Sequence, residues 1–212
     1  MPPPMTMTFG ALVTCLLGQC LFLLAIGAIF DLLEAVLGKI EEVAVGIDTA
    51  VLGWLVERVT QGSVAAYTER CVWEPLGAEA DGFYIMDGAP GIGREFSGAG
   101  FNATLRDFAR FGQMVLDGGV ADGRRIVSED WIRASTQPTD GEDAGRGGYG
   151  LQWWTLGNTE AFAAIGLQGQ YIYIDPATRT VVVKLSYFPP GDNRALEAET
   201  MAFMAAASAW RP

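Results

Sequence analysis

Histidine is absent from all 212 residues, and that absence shapes every reading of the chemistry. A Ser-His-Asp triad, a Cys-His pair, a histidine zinc site and a histidine general base are excluded. Only Lys39 and Lys184 are lysines, and neither has a serine or threonine three positions before it. Spacing identifies no catalytic residue. Lys184 falls in an extended run with Ser186 two residues on, so both side chains share a face. An exposed strand lysine of that kind keeps its proton at neutral pH. Ser97 precedes Gly98-Ala99-Gly100, but Glu95 stands where a nucleophile elbow needs glycine, so Ser97 reads as a loop serine. Gly91-Ile92-Gly93 lacks the preceding strand and third glycine of a dinucleotide loop. Cys15, Cys20 and Cys71 form no CxxC pair and read as small buried apolar residues. The carboxylates form no cluster suited to Mg²⁺ or Ca²⁺, so neither a metal nor a cofactor is expected. Asp107 and Arg110, three apart, read as a structural ion pair.

Several elements must position whatever chemistry exists. Asp48 is expected to cap a helix carrying Val51, Leu52, Leu55, Val56 and Val59, which Gln61-Gly62 ends. Ser63 caps a second helix towards Val72, broken at Pro75-Leu76-Gly77. The segment from Asp87 to Gly100 is glycine-rich and reads as a loop. Thr104 and Asp107 resemble a capping box, and the helix behind them is expected to bury Leu105, Phe108, Phe111, Met114 and Val115 before Gly118-Gly119. A short helix follows Ser128, and Asp140 to Gly148 reads as a charged loop. Three strands are expected: Tyr149 to Leu156, Gln170 to Ile174, and Thr180 to Tyr187. Asp175-Pro176-Ala177-Thr178 joins the last two as a hairpin. Asp192 or Asn193 caps a final helix whose Leu196, Met201, Phe203 and Met204 are expected to face a sheet.

Half the residues are apolar and 18% are charged, which excludes intrinsic disorder. The formal charge of −11 argues against a nucleic-acid partner. Phe9 to Phe30 contains no charged residue, interrupted by Thr14, Gln19 and three glycines. As a helix this run reaches roughly the 30 Å of a bilayer core, so a membrane span and membrane association are expected. A helix buried in a core is the alternative; a signal peptide is disfavoured because Met1 to Thr8 carries no Lys or Arg. Lys39 weakly places the downstream side in the cytoplasm, but the acids around it leave orientation open. The chain divides into an apolar segment, 1–45, and a mixed α and β domain, 46–212.

Six stretches occur in order along the second part. They are Asp48-Thr49-Ala50-Val51-Leu52-Gly53-Trp54, Trp73-Glu74-Pro75-Leu76-Gly77, the run from Gly100-Phe101-Asn102-Ala103-Thr104 through Gly112, Gly123-Arg124-Arg125-Ile126-Val127, Tyr149-Gly150-Leu151-Gln152-Trp153-Trp154, and the run from Gly166-Leu167-Gln168-Gly169-Gln170 to Pro176. Together they resemble the carboxyl-terminal half of serine β-lactamase-like hydrolases, in the branch of the 6-aminohexanoate-dimer hydrolases. The resemblance implies an α/β fold of the α+β type: an antiparallel sheet flanked by helices. It also implies acyl transfer to a serine opening an SxxK helix, with a second-motif tyrosine relaying the proton and backbone N–H groups holding the oxyanion.

This sequence departs from that pattern. SxxK is absent, and Val43-Ala44-Val45-Gly46 occupies the place of the tyrosine. The third motif is retained in Gly166-Leu167-Gln168-Gly169-Gln170. By the resemblance, Leu167 supplies a backbone oxyanion donor, and Gly166, Gln168, Gly169 and Gln170 line a pocket for a small amide or ester. Three readings follow: a truncated, catalytically incomplete hydrolase homologue, a membrane-tethered pseudoenzyme or ligand-binding module, and an active hydrolase completed by another chain. Oligomeric state is not readable from these residues.

Overall fold

The computed structural model describes residues 45–210 apart from 90, 139–146, 158, 167, 190 and 192, with the backbone alone for 45–48. The apolar run 9–30, Lys39, Leu167 and most of the charged loop before Gly148 lie outside the described residues.

Helix α1, Val45–Thr60, starts before Asp48, so that acid sits inside the helix instead of capping it. The helix ends at Gln61, whose φ of +52° places it in the left-handed region. Ser63 Oγ then accepts from the Ala66 amide at 3.1 Å and starts α2, Val64–Thr68. The expected break at Pro75-Leu76-Gly77 falls at its last residue. A π turn, Glu69–Trp73, leads directly into α3, Glu74–Leu76, where proline sits at the start and needs no N–H donor. Gly77, at φ +70°, ends it.

Helix α4, Leu105–Leu116, is the central helix. Phe108, Phe111, Met114 and Val115 are buried as their spacing predicts, but Leu105 is exposed because its first-turn position faces away from the sheet. Gly112 lets α4 approach closely: a Cβ there would lie 2.7 Å from Val181 Cγ1. Two short antiparallel pairs flank the helix: β1, Phe83–Tyr84, with β2, Phe101–Asn102, and β3, Val120–Ala121, with β4, Arg124–Arg125. The second is a hairpin turning on Asp122-Gly123, both with positive φ. Ser128 caps α5, Glu129–Ser135, by accepting from the Trp131 amide at 3.2 Å.

The main sheet has four antiparallel strands in the order β5-β6-β7-β8: Trp154–Thr155, Phe162–Ile165, Tyr171–Asp175 and Thr180–Lys184. The expected strand from Tyr149 to Leu156 instead folds back on itself. Gln152 has φ +68°, Tyr149 bridges Trp154, and only Trp154–Thr155 remains as strand. Strand β6 was not expected, because Ala163 and Ala164 at its centre carry no β-branched signal. The β7–β8 hairpin forms as predicted; Asp175 accepts from the Ala177 amide and the Thr178 hydroxyl at 3.0 and 2.7 Å.

One sheet face packs Ile172, Ile174 and Phe162 against α4, with Phe111 and Trp153 stacked 6.4 Å apart. The other packs Tyr171 and Tyr173 against Met204 of α6, Arg194–Ala209. Met201 joins that contact, whereas Leu196 and Phe203 are exposed, since α6 turns only one narrow stripe to the sheet. Asn193 occupies the cap position of α6 but makes no side-chain cap.

Candidate functional site

Two polar hubs hold a charged group out of water, and they have different jobs. In the first, the Asp107 carboxylate is fully buried at the start of α4. Its Oδ2 accepts from the Thr104 hydroxyl at 2.6 Å, and its Oδ1 from the Glu79 amide at 2.8 Å and Arg110 Nη1 at 3.0 Å. Thr104 Oγ1 in turn accepts from the Asp107 amide at 3.1 Å, so the predicted cap and the predicted ion pair are one network. Burial pushes the Asp107 carboxyl up, but the hydrogen bonds from Thr104, the Glu79 and Ala80 amides and Arg110 outweigh it and leave the pKa below the ordinary range. Arg110 also pairs with Glu79. Every acceptor site is spent on protein donors, so this hub is structural.

The second hub surrounds the turn between β6 and β7. Gly166 N–H donates to Gln170 O at 2.8 Å, and Gly169 N–H to Gly166 O at 3.2 Å, which closes the turn. Gly169 has φ +80°, and a Cβ there would lie 2.5 Å from the Phe188 ring, so position 169 requires glycine on both counts. Gln170 is buried, its amide bridging the Gln168 N–H at 3.1 Å and the Ser186 carbonyl at 2.9 Å. Of the residues expected to line a pocket, Gln170 is thus turned inward as a support. Gln168 is partly buried, and its side chain makes no hydrogen bond among the described residues. Leu167 lies outside them.

Support for this turn arrives from the strand end beyond β8. Phe188 N–H donates to Gln168 O at 2.9 Å. Lys184 Nζ donates to Gly169 O at 3.0 Å and to Ser186 Oγ at 2.5 Å, and the Ser186 hydroxyl donates to Gly169 O. The Lys184 ammonium lies 4.4 Å from the Phe188 ring centroid. Lys184 and Ser186 share a face as predicted, but the lysine is not exposed: it is half-buried beneath the turn. Desolvation lowers its pKa from the ordinary lysine value, against a smaller opposing field from Glu199. The pair is no serine–base couple, because the serine proton goes to a carbonyl and the lysine N–H groups are used as donors. The signal for this clamp was the two-residue Lys-Ser spacing; its partner, Gly169, is 15 residues away in sequence from the lysine.

Ser97 proves to be buried, not a free loop serine. Its hydroxyl donates to Thr49 O at 2.9 Å, and Gly53 leaves room for it beneath α1. That geometry ties the glycine-rich loop to α1 and offers no nucleophile to solvent. An open groove of about 490 Å³ lies elsewhere, between Val51, Trp54, Leu55, Arg58 and Arg94, and holds neither an acid nor a hydroxyl among its lining residues. Among the described residues no group of three or more His, Cys, Asp or Glu could hold a metal ion. No helix among them is long and apolar enough to cross a membrane.

Comparison with known proteins gives this geometry its context. A family model described as Beta-lactamase matches residues 46–206. Over 157 residues the chain is 39% identical to a 6-aminohexanoate-dimer hydrolase of Paenarthrobacter ureafaciens, covering 69% of this chain and 39% of that protein. The chain thus spans about two fifths of that curated relative. A solved structure from Bacillus anthracis, assigned as a 6-aminohexanoate-dimer hydrolase, superposes with a TM-score of 0.65 at 30% identity, over 74% of this chain and 41% of the other. A beta-lactamase structure from Mycobacterium bovis shares the fold at 18% identity, with a TM-score of 0.68 over 93% of this chain and 88% of its own. The chain belongs to the beta-lactamase family of serine hydrolases and their relatives.

Proposed function

We propose that this chain keeps the amide- or ester-recognising wall of a beta-lactamase-family hydrolase but does not itself carry out acyl transfer. The observation that carries this reading is the turn between β6 and β7, whose Gln168, Gly169 and Gln170 are held by Phe188, Lys184 and Ser186 before any ligand arrives. A preformed turn needs no reorganisation to hold a carbonyl oxygen. The nucleophile is the missing part: no SxxK occurs in the sequence, Ser97 is buried and Ser186 is committed to Gly169. On this reading Leu167 presents its backbone N–H to the ligand, and Gln168 its amide. A second chain supplying serine and lysine would complete the reaction.

The test is intact-mass analysis after incubation with a fluorophosphonate, together with NMR titration of a short linear amide such as 6-acetamidohexanoate. No covalent adduct is expected, and the first amide signals to move are those of residues 166–171. A stoichiometric adduct on one serine, lost on its change to Ala, would overturn the incomplete-hydrolase reading; shifts elsewhere would overturn the binding wall. The run 9–30 supports a further proposal, that the full chain associates with membranes, because its uncharged length suits a bilayer core. Alkaline carbonate extraction checks it: release of folded protein into the soluble fraction argues for a buried helix.

A further inference from the structure

We propose that Gln168 is the specificity-determining residue of the recognition wall, selecting a secondary amide over the matching ester, and that Gln170 positions it. The inference rests on the turn between β6 and β7 being a ligand wall, and adds which ligand it takes. Tyr171 pairs with Lys184 at the end of the β7–β8 ladder, so straight continuation would set Gly169 opposite Ser186. The two segments do not continue that way. Phe188 N–H donates to Gln168 O at 2.9 Å, one residue out of that register, and Gly169 N–H turns back to Gly166 O at 3.2 Å. Side chains splice the step instead. Lys184 and Ser186 reach the Gly169 carbonyl, and Gln170 Nε2 donates to the Ser186 carbonyl at 2.9 Å.

The same buried amide has a second task. Gln170 Oε1 accepts from the Gln168 N–H at 3.1 Å, and the two partners fix which end of the amide is which: the N–H needs an oxygen and the carbonyl needs a donor. Both backbone groups of Gln168 are thus spent on protein, the N–H on Gln170 and the carbonyl on Phe188. Its side chain is not: half-buried, it makes no hydrogen bond among the described residues. Lys184 and Ser186 are committed to Gly169 and to each other, and Phe188 is apolar, so Gln168 is the side chain of the clamp left to read a ligand. A primary amide offers a carbonyl acceptor and N–H donors. A secondary amide ligand answers both. An ester answers the donors alone, because its bridging oxygen carries no proton, and leaves the Gln168 carbonyl oxygen without a partner from the ligand.

Two ligands that differ only in that N–H, 6-acetamidohexanoate and 6-acetoxyhexanoate, separate the inference from the reading beneath it. Titrated into the full chain by NMR, both are expected to move the signals of residues 166–171, with the amide binding about fivefold tighter, the worth of one net hydrogen bond. Gln168→Leu should bring the two affinities level. If neither ligand moves those signals, the wall fails and the inference with it. If both bind the native chain alike, or Gln168→Leu keeps the preference, selection by Gln168 fails and the wall stands.

The role of Gln170 is read without ligand, by hydrogen exchange. In the native chain the Gln168 amide should exchange slowly. Gln170→Met should speed it about tenfold, while the Gly166 and Gly169 amides, held by backbone carbonyls, change little. Gln170→Glu keeps an acceptor, and should restore both the slow exchange and the preference for amide that Gln170→Met loses. A fast Gln168 amide in the native chain overturns the positioning role even where Gln170→Met fails to fold, and equal behaviour of the two variants overturns it as well.

Discussion

Asp107 and Lys184 are both charged groups withdrawn from water, yet they hold their surroundings in opposite ways. Asp107 is compensated by charge, through Arg110, and by hydrogen bonds from its own helix start and one nearby loop. Lys184 has no carboxylate at ion-pair distance among the described residues; it rests on a carbonyl, a hydroxyl and an aromatic face. Removing one partner from a buried, fully bonded charge is expensive, whereas a half-buried donor recovers part of its loss from water. The difference separates a hub that anchors the start of α4 from a hub that holds the β6–β7 turn.

Breaking the first hub should cost most. Asp107→Ala leaves the Thr104 hydroxyl, the Glu79 amide and Arg110 without their acceptor, so urea unfolding should show a loss of about 3 kcal/mol. Against Asp107→Asn, the advantage of the native carboxylate should be constant at neutral pH. It should shrink as pH falls below the unfolded value near ~3.9 and through the lower folded one, because a depressed carboxyl pKa stabilises only while the group is ionised.

Gly169→Ala comes next, at about 2 kcal/mol, because a Cβ at φ +80° is strained and meets the Phe188 ring. Its amide shifts should spread over residues 166–170, leaving α4 unchanged; shifts confined to α4 would sink the division into two hubs. Lys184→Met should cost about 1.5 kcal/mol by taking one of two donors from the Gly169 carbonyl and the lysine donor from Ser186 Oγ. Here the pH dependence has the other sign. The folded lysine pKa lies below its unfolded value of about 10.4, so the cost of holding the ammonium under the turn disappears as pH rises through the folded value. Stability of the native protein relative to Lys184→Met should therefore rise over that alkaline window. The smallest effect is expected from Glu79→Gln at the exposed rim of the first hub, where the unfolding midpoint should not move measurably.

Legibility in the sequence followed the range of the interactions. The caps at Ser63 and Thr104, the short helix after Ser128, the apolar stripe of Phe108, Phe111, Met114 and Val115, and the β7–β8 hairpin each depend on residues a few positions apart, and each formed as expected. Strand β6 was hidden because Ala163 and Ala164 become strand only by lying between β5 and β7. The bend at Gln152 was hidden because alternation of aromatic and apolar residues looks the same whether a segment runs straight or folds back.

The candidate site divides along the same line. Six ordered stretches of sequence were enough to place the chain in its family. They could not say that Ser97 is sealed beneath α1 by Thr49, nor that Lys184 is drawn under the Gly166–Gln170 turn. Local residue order determines capping, periodicity and turn type, because those energies are settled within a helical turn or a hairpin. Burial and the partner of a charge are decided only when segments distant in sequence pack together, since desolvation and a 3 Å hydrogen bond depend on where the chain returns.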